Sequence, residues 1–465
     1  MKLYNTLTRQ VDEITPISHD TVTVYTCGPT VYDFAHIGHW FNYIRMDLLI
    51  RTLKATGLTP NWVMNITDVG HLVSDADDGE DKLEKGAKRE GKTAWEVADY
   101  YTKDFIAGMK ILNMLTPNHI VKATDHIDEQ INLIKTLETK GFTYTTSDGV
   151  YYDTSLFEGY ASFARLDLDE QQASGRISFN PDKRNQSDFA LWKLSPEGSS
   201  RDMEWDSPWG KGFPGWHIEC SAMSMKYLGE SIDIHTGGID HIPVHHTNEI
   251  AQSEAATGKR FANNWMHSNH VMVDGEKISK SIGNGIRLQE LMEKGITASA
   301  IRLNVLESHY RSQSKFSMPN LLAAQNRLRD YRAMADLRFQ VMSFKQDDIG
   351  MIDLIKRVTN ALTDDLDTPL VLQLLSSYQN ITADTLVSDT NLREFEDGLK
   401  DLDELLGLEL LSSLDISTQQ KAIINERQIA RDANDWFKSD QLRDELVSQG
   451  ISLRDTPMGQ IWSRI

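Results

Sequence analysis

Two histidines stand three residues apart at the start of a predicted helix. His36 and His39 flank Gly38 in the tetrapeptide His-Ile-Gly-His. Residues three apart share one helix face, and imidazoles at a helix N-terminus donate hydrogen bonds where the helix dipole already favours an anion. Gly38 lets a bulky ligand approach the backbone closely. The motif therefore indicates a phosphate site, although two ordinary histidines at the surface or in the core would give the same pattern.

A second motif is rich in lysine and hydroxyl groups. Lys277-Ile278-Ser279-Lys280-Ser281 follows the apolar run Val271–Val273 and a tight turn at Asp274 and Gly275. Two lysines and two hydroxyls on a glycine-flanked loop suit a clamp on a polyphosphate, although a solvated basic turn has the same composition. The two motifs together, in this order, predict a polyphosphate-binding cleft.

A third constellation could hold a metal. The chain has two cysteines, Cys27 and Cys220, which are too few for a disulfide framework. His245 and Glu249 are four residues apart and would share one helix face. Two thiolates, an imidazole and a carboxylate form a ligand set that zinc accepts. Since there is no Cys-x-x-Cys pair, two buried thiols and an ordinary helix stay open as the alternative.

The elements that must position these residues follow an α/β pattern. Thr21–Thr26 alternates β-branched residues as a strand does. A helical spacing starts at Ile37 and stops at Gly57, and Trp62–Thr67 predicts a second strand. Strand, helix and strand within this length form a βαβ unit, which implies a parallel sheet. The phosphate-binding place in such a unit is the first turn from strand to helix.

The second half of the chain changes character. An α/β stretch restarts at Ser231–His235 and ends on Gly237 and Gly238, whereas residues beyond about 310 follow a helix-bundle pattern. That pattern is carried by Leu321, Ala324, Leu328, Tyr331 and Ala335. Thr368-Pro369 predicts a helix start, with Thr368 as the N-cap. The tail predicts helices up to Gly450 and then two short strands around a turn.

Composition excludes several classes of protein. The chain has 465 residues, 48 basic and 68 acidic, with a formal net charge of −20, which argues against nucleic-acid binding driven by the field of the whole molecule. No run approaches the roughly 20 apolar residues of a membrane span. The first residues carry no apolar signal segment, so we expect a cytoplasmic protein. Asp75–Glu80 is predicted to be a solvated acidic loop.

The two phosphate motifs resemble the HIGH and KMSKS motifs of class I aminoacyl-tRNA synthetases, with Ile278 in place of the usual Met. The resemblance implies that they stabilise the pyrophosphate leaving group while an amino-acid carboxylate attacks the α-phosphate. It assigns Gly237-Gly238-Ile239-Asp240 to adenosine, with Asp240 near the ribose. The implied catalytic residues are His36, His39, Lys277 and Lys280. The implied ATP-binding residues are His36, Gly38, His39, Gly238, Asp240, Met272, Lys277 and Lys280.

Three longer segments are similar to the cysteinyl-tRNA synthetase family: residues 25–39, 212–223 and 245–259. The resemblance implies one zinc ion per chain, bound by Cys27, Cys220, His245 and Glu249. Because zinc strongly prefers a thiolate to a hydroxyl, an ion that receives the substrate thiolate separates cysteine from serine without an editing site. The implied cysteine-binding residues are Cys27, Gly28, Thr67 and Trp216. His217, His235, His267 and His270 are candidates for a surrounding histidine-rich pocket.

The implied fold class is α/β. We expect a Rossmann-like parallel-sheet catalytic domain in two parts, residues 1–115 and 204–310, around a connective insertion at 116–203. A helical bundle (311–402) and a small anticodon-binding domain (403–465) follow. The wording at residues 241–244 and at Thr247 departs from the family's commonest form, without changing any of the four metal ligands.

The implied activity is that of a cysteine–tRNA ligase. Such an enzyme joins L-cysteine to ATP, which is accompanied by Mg²⁺, and transfers the cysteine to the 3′-terminal ribose of tRNA(Cys). We expect a monomer that acts without a membrane. Two alternatives are the cysteine ligase of mycothiol synthesis and a catalytically inactive binding protein derived from a synthetase. Trp462 beside Arg464 predicts stacking on anticodon bases, although a core tryptophan is the alternative.

Overall fold

The computed structural model describes residues 1–70, 81–165, 182–196, 201–278, 284–341, 350–382, 387–388, 390–457 and 459–465. The predicted acidic loop Asp75–Glu80 lies outside these residues. The chain divides into two compact units, one of residues 1–290 and 310–315 and one of residues 291–309 and 316–465.

The strands are, in chain order, β1 (Lys2–Asn5), β2 (Gln10–Glu13), β3 (Thr21–Thr26), β4 (Thr59–Ile66), β5 (His119–Lys122), β6 (Thr143–Thr145), β7 (Gly149–Tyr152), β8 (Phe189–Leu194), β9 (Gly212–Pro214), β10 (Ile232–Gly238), β11 (Ala262–Ser268), β12 (Val271–Val273), β13 (Glu276–Lys277), β14 (Ser314–Phe316), β15 (Ile451–Thr456) and β16 (Gly459–Arg464).

The α-helices are α1 (Ile37–Ala55), α2 (Lys82–Glu90), α3 (Ala94–Ile111), α4 (Ile127–Thr139), α5 (Trp216–Leu228), α6 (Thr247–Thr257), α7 (Leu288–Glu293), α8 (Ala298–Leu306), α9 (Met318–Ala335), α10 (Met351–Thr363), α11 (Thr368–Thr382), α12 (Leu392–Leu406), α13 (Thr418–Asp432) and α14 (Trp436–Ser448). No helix in the described part of the chain is long and apolar enough to cross a membrane.

A parallel sheet forms the centre of the first unit. Its strand order is β11–β10–β3–β4–β5, and every neighbouring pair is parallel. The predicted βαβ unit is confirmed, with the first strand at its predicted bounds and β4 beginning three residues earlier than expected. β5, which lies within the span predicted as the connective insertion, is an edge strand of this sheet. Because the strands are parallel, their carboxyl ends meet at one edge, where the site lies.

Helix α1 connects β3 to β4 and is almost wholly buried. Its apolar spacing is that of a core helix, with Trp40, Phe41 and Ile44 among the buried side chains. The helix ends where Gly57 takes a positive φ of 81°, a conformation that glycine adopts without steric cost. The predicted stop of the helix is therefore confirmed.

Smaller sheets accompany the parallel sheet in the described part of the chain. One is antiparallel with the order β6–β7–β8–β9, a second pairs β1 with β2, and a third has the order β13–β12–β14, in which β12 and β13 are antiparallel. The turn between β12 and β13 has positive φ at both Asp274 (49°) and Gly275 (87°), as the tight turn of a two-residue hairpin requires. This hairpin, predicted from the sequence, leads into the lysine motif.

The second unit is mainly helical. The predicted bundle positions lie in α9, and Leu321, Leu328 and Tyr331 are fully or almost fully buried. The predicted cap of α11 is wrong by one residue. The Asp367 carboxylate, rather than Thr368, accepts the Leu370 backbone N–H at 3.1 Å, which satisfies a donor of the first turn.

The tail has two helices and a hairpin, as predicted, but Trp462 is a core residue. Its side chain is 4% exposed, and its backbone exchanges hydrogen bonds with the Gln340 side chain at 2.8 and 3.0 Å. The prediction that Trp462 stacks on nucleic-acid bases is therefore wrong. The reason is that its side of β16 faces the small core of α13, α14 and β15.

Candidate active site and metal centre

The two motif histidines fix each other at the N-terminus of α1. His36 caps the helix: its Nδ1 accepts the Gly38 N–H at 3.2 Å, and His39 Nδ1 accepts the His36 N–H at 3.1 Å. The rings stack with centroids 3.8 Å apart. Since Nδ1 accepts in both rings, the proton of each neutral ring lies on Nε2. The helix end therefore presents imidazole donors, as phosphate binding requires.

These histidines line a cleft of about 630 Å³ at the carboxyl edge of the parallel sheet. The predicted site residues that line it are Cys27, Gly28, His36, Gly38, His39, Thr67, Trp216, Cys220, Gly238, Asp240 and His245. Glu249 is buried and is not among the described lining residues. Met272 is not among the described lining residues, although its neighbour Val271 is. The cleft thus unites the predicted phosphate, adenosine and cysteine residues.

The lysine motif is described only in part. Lys280 lies outside the described residues, and nothing is described of the Lys277 side chain, although its backbone ends β13. Ile278 lines the cleft and lies close to Gly38, where an added Cβ would be 2.8 Å from Ile278 Cδ1. Beyond the motif, Ile286 O accepts the Ile37 N–H at 2.8 Å. The chain on both sides of the lysine loop thus lies beside the N-terminus of α1.

Asn65 is a site residue that sequence reasoning missed. Its side-chain oxygen Oδ1 accepts the Gly28 N–H at 2.7 Å, and its side-chain amide Nδ2 donates to the Thr67 hydroxyl at 3.1 Å. An added Cβ at Gly28 would lie 1.6 Å from Asn65 O, so only glycine fits there. Asn65 therefore holds together the two loops that follow β3 and β4. The sequence signal that could have found Asn65 was its position near the end of the predicted second strand.

Elsewhere in the cleft, Asp240 and His270 form an ion pair when the imidazole is protonated. Asp240 Oδ1 lies 3.0 Å from His270 Nδ1, and both residues line the cleft. Arg287 also lines the cleft, and its guanidinium lies over the Phe34 ring, 5.0 Å from the centroid. No motif in the sequence marked Arg287. These groups supply acidic and basic contacts of the kind that a nucleotide requires.

The four predicted metal ligands come together although they are far apart in the sequence. Cys27 follows β3 and Cys220 lies in α5. His245 lies in the π-helical turn Ile242–His246, which leads into α6, and Glu249 lies in the first turn of α6. One potential ligand atom from each lies within 4.8 Å of the others, and all four residues are buried. His245 Nε2 lies 3.5 Å from Glu249 Oε2. This arrangement gives the predicted ligand set its geometric basis.

The donor set fits zinc. Glu249 Oε2 is buried and has no hydrogen-bond partner among the described residues, which is costly for a carboxylate unless a cation is near. Burial raises the pKa of the Cys27 thiol and of the Glu249 carboxyl, and a coordinated metal would reverse this by favouring the charged forms. Thiolate, imidazole and carboxylate are ligands that zinc prefers.

Histidines surround this cluster and orient it. His217 Nδ1 lies 3.0 Å from His245 Nδ1, so the other nitrogen of His245 faces the cluster, as in many metal sites. The Trp216 ring packs 4.8 Å from the His245 ring, centroid to centroid. The predicted histidine-rich pocket contains His217, His235 and His267 as buried residues. His270 instead lines the cleft.

Comparison with known proteins identifies the family. Residues 13–326 match the family described as tRNA synthetases class I (C) catalytic domain, and residues 414–462 match the cysteinyl-tRNA ligase anticodon binding domain. The cysteine–tRNA ligase 1 of Burkholderia lata is 44% identical, with 99% of this chain and 96% of the relative covered. The chain belongs to the cysteine–tRNA ligase family. The Treponema denticola cysteine–tRNA ligase is 39% identical over 100% of both chains.

The fold of this family member is also that of a solved class I synthetase. A Mycobacterium tuberculosis methionyl-tRNA synthetase in complex with methionyl-adenylate has a TM-score of 0.58, and the match covers 84% of this chain and 90% of that chain. At 12% identity the likeness concerns the fold alone. It confirms the predicted Rossmann-like, parallel-sheet architecture. The predicted domain boundaries stay predictions.

Proposed function

We propose that this member of the cysteine–tRNA ligase family activates L-cysteine with ATP and transfers it to the 3′-terminal ribose of tRNA(Cys). The observation that carries the proposal is that one cleft combines a candidate phosphate site with a candidate metal site. Its walls include the stacked histidines at the N-terminus of α1 as well as three of the four clustered metal ligands. A site that adenylates a thiol-bearing amino acid needs both.

In the first step, a carboxylate oxygen of cysteine attacks the α-phosphorus of ATP and the bond to pyrophosphate breaks. This reaction depends on positioning and charge neutralisation more than on a protein nucleophile. His36 and His39 donate from Nε2 to the phosphates, and Lys277 and Lys280 neutralise the charge that develops on the leaving group. Mg²⁺ accompanies ATP. Gly238 and Asp240 bind the adenosine end.

Selection of cysteine belongs to the clustered ligands. Cys27, Cys220, His245 and Glu249 would hold one zinc ion, which when bound supplies a Lewis acid that prefers a thiolate to a hydroxyl. Trp216 packs beside His245 and covers the substrate side chain. Thr67 and the Gly28 backbone, positioned by Asn65, bind the amino-acid end.

Two exposed aromatic residues in the tail suit unpaired anticodon bases. Trp436 is 55% exposed and Phe437 is 76% exposed, and the Arg431 guanidinium lies 5.6 Å from the centroid of the Trp436 ring. Aromatic faces with a neighbouring guanidinium stack on single-stranded bases. These residues replace Trp462 as the proposed readers of the anticodon. Cytoplasmic location and the monomeric state stay predictions of the sequence.

The anticodon-binding match at residues 414–462 favours tRNA over the amino-sugar acceptor of mycothiol synthesis. All four motif residues are present, which favours an active enzyme over an inactive binding protein. Incubation with ATP, labelled cysteine and either acceptor tests the proposal. We expect acid-precipitable cysteinyl-tRNA, and no product with the amino sugar. Transfer to the amino sugar alone, or to neither acceptor, would contradict the proposal.

A further inference from the structure

A second group of metal-ligating side chains overlaps the four-ligand cluster. Cys27, His235, His246 and Glu249 are buried, and one potential ligand atom from each lies within 4.8 Å of the others. We propose that these four residues form an inner metal position, which shares Cys27 and Glu249 with the outer position of Cys27, Cys220, His245 and Glu249. The inference rests on the proposed function, because it concerns the same ion.

The distances suit a small tetrahedral ion. Bonds of about 2.0–2.3 Å at the tetrahedral angle separate neighbouring ligand atoms by roughly 3.3–3.8 Å. His246 Nε2 lies 3.4 Å from Cys27 Sγ and 3.7 Å from Glu249 Oε2. His235 Nε2 lies 3.1 Å from the other carboxylate oxygen, Glu249 Oε1, which is slightly below this range. Small side-chain movements therefore suffice to surround an ion between these atoms.

His246 is held in the orientation that a ligand needs. Its Nδ1 lies 2.7 Å from His267 Nε2, and His267 Nδ1 lies 2.7 Å from the Thr6 hydroxyl. A hydrogen bond to one imidazole nitrogen fixes the ring and directs the other nitrogen to the metal. His246 Nε2 therefore faces Cys27 and Glu249 with its orientation already fixed.

The two positions differ in their access to the cleft. Cys27, Cys220 and His245 line the cleft, whereas His235, His246 and Glu249 are absent from the described lining residues. An ion in the inner position is thus enclosed by protein and out of reach of a substrate thiolate. The inner position is a reserve: when an outer ligand is lost, the ion moves inward instead of leaving.

The test is to remove one outer ligand and count the remaining ones. Zinc content is measured after gel filtration, and X-ray absorption gives the number of sulfur and imidazole ligands. In the wild type we expect about one zinc per chain with two sulfurs and one imidazole, as in the outer set. In Cys220→Ala we expect zinc to be retained with one sulfur and two imidazoles. His245→Asn should give the same count.

The double variant Cys220→Ala/His246→Asn should lose the metal, and His126→Asn, which changes a buried histidine outside the cluster, should keep the wild-type count. Circular dichroism checks folding, and if Cys220→Ala fails to fold, His245→Asn decides. Loss of zinc from the folded single variants, or retention without a gain of imidazole, would overturn the inner position. Zinc-free wild type would instead contradict the metal part of the proposed function.

Discussion

Two groups of histidines in the same unit occupy opposite environments. His36 and His39 cap a helix, and backbone N–H groups occupy their Nδ1 atoms. His246 and His267 are buried, and other side chains hold their nitrogens. In the proposed function the first pair offers Nε2–H donors to an anion in the cleft, whereas in the second group His267 fixes His246, whose Nε2 lone pair is then directed to a cation. The partner of one ring nitrogen therefore decides what the other does.

The pKa values of the buried histidines agree with a role for neutral rings. Burial lowers the pKa of His246 and of His267 well below the ordinary value, and lowers that of His241 to about 4. These rings are neutral at pH 7, as metal ligands and their hydrogen-bonded supports must be.

A contrast in burial also separates two tryptophans of the tail, since Trp462 is buried and Trp436 is exposed.

The largest effect should follow removal of Cys27, which belongs to both ligand sets. Cys27→Ala should lose zinc and reduce cysteine activation by at least about 10³-fold, since a metal Lewis acid supplies several kcal/mol. Metal analysis and ATP–pyrophosphate exchange measure the two losses. His126→Asn is the matched control and should change neither. A zinc-free Cys27→Ala that activates cysteine normally would refute the role of the cluster.

The phosphate end of the cleft should respond differently. Lys280→Ala should lower the rate of adenylate formation by about 10²–10³-fold, because it removes a contact to charge that develops in the transition state. The KM for ATP should change far less. Zinc content should stay at the wild-type level, and Lys294→Ala, at an exposed position, should have no effect. Equal losses in rate and ATP binding would indicate ground-state binding instead.

A smaller effect is expected from Asn65, which joins the loops that follow β3 and β4. Asn65→Ala leaves the Gly28 N–H and the Thr67 hydroxyl without this partner, at a cost of about 1–3 kcal/mol. The KM for cysteine should rise roughly tenfold, with metal content unchanged. Asn132→Ala, at an exposed site on α4, serves as the control. A wild-type KM in Asn65→Ala would show that these loops hold their positions without it.

The exposed tryptophan of the tail, Trp436, can be tested for its contribution to tRNA binding. Trp436→Ala should raise the KM for tRNA roughly tenfold, since stacking contributes about 1–3 kcal/mol per base, while ATP–pyrophosphate exchange stays unchanged. Val447→Ala removes an exposed apolar side chain from the same helix and should have no effect. Unchanged tRNA charging by Trp436→Ala would exclude this residue from the anticodon contact.

The smallest effect concerns pH and the metal-depleted protein. Because the folded-state pKa of His246 and of His267 lies below the unfolded value of about 6.5, the unfolded chain binds more protons as the pH falls. The contribution of these two histidines to the free energy of unfolding should therefore be fully present above pH 6.5. It should fall by about 1 kcal/mol per histidine near pH 5.5. Urea unfolding of the metal-depleted wild type and of metal-depleted His267→Gln measures this dependence on pH. A dependence that His267→Gln leaves unchanged would contradict this assignment.

Local patterns predicted much of the fold. The alternation of Thr21–Thr26, the helix between Ile37 and Gly57, and the hairpin at Asp274-Gly275 depend on neighbours in the sequence, and the structure has all three. The role of Trp462 could not be read in this way, because its burial depends on packing against α13 and α14.

The site was predicted mainly through resemblance. Spacing alone left Cys27 and Cys220 open as buried thiols, because the ligands come from separate elements that only the folded sheet brings together. Asn65, His246 and Arg287 were missed as site residues for a related reason. Their roles are set by hydrogen bonds and cleft geometry between segments distant in the sequence, which no local motif encodes.

The central claim is that the clustered ligands select cysteine through its thiol. The most direct measurement is ATP–pyrophosphate exchange with cysteine and with serine, before and after zinc is removed by a chelator and then restored. We predict exchange with cysteine, none above background with serine, loss of exchange without zinc and recovery when zinc returns. A zinc-free protein that exchanges with cysteine at the wild-type rate would contradict the claim.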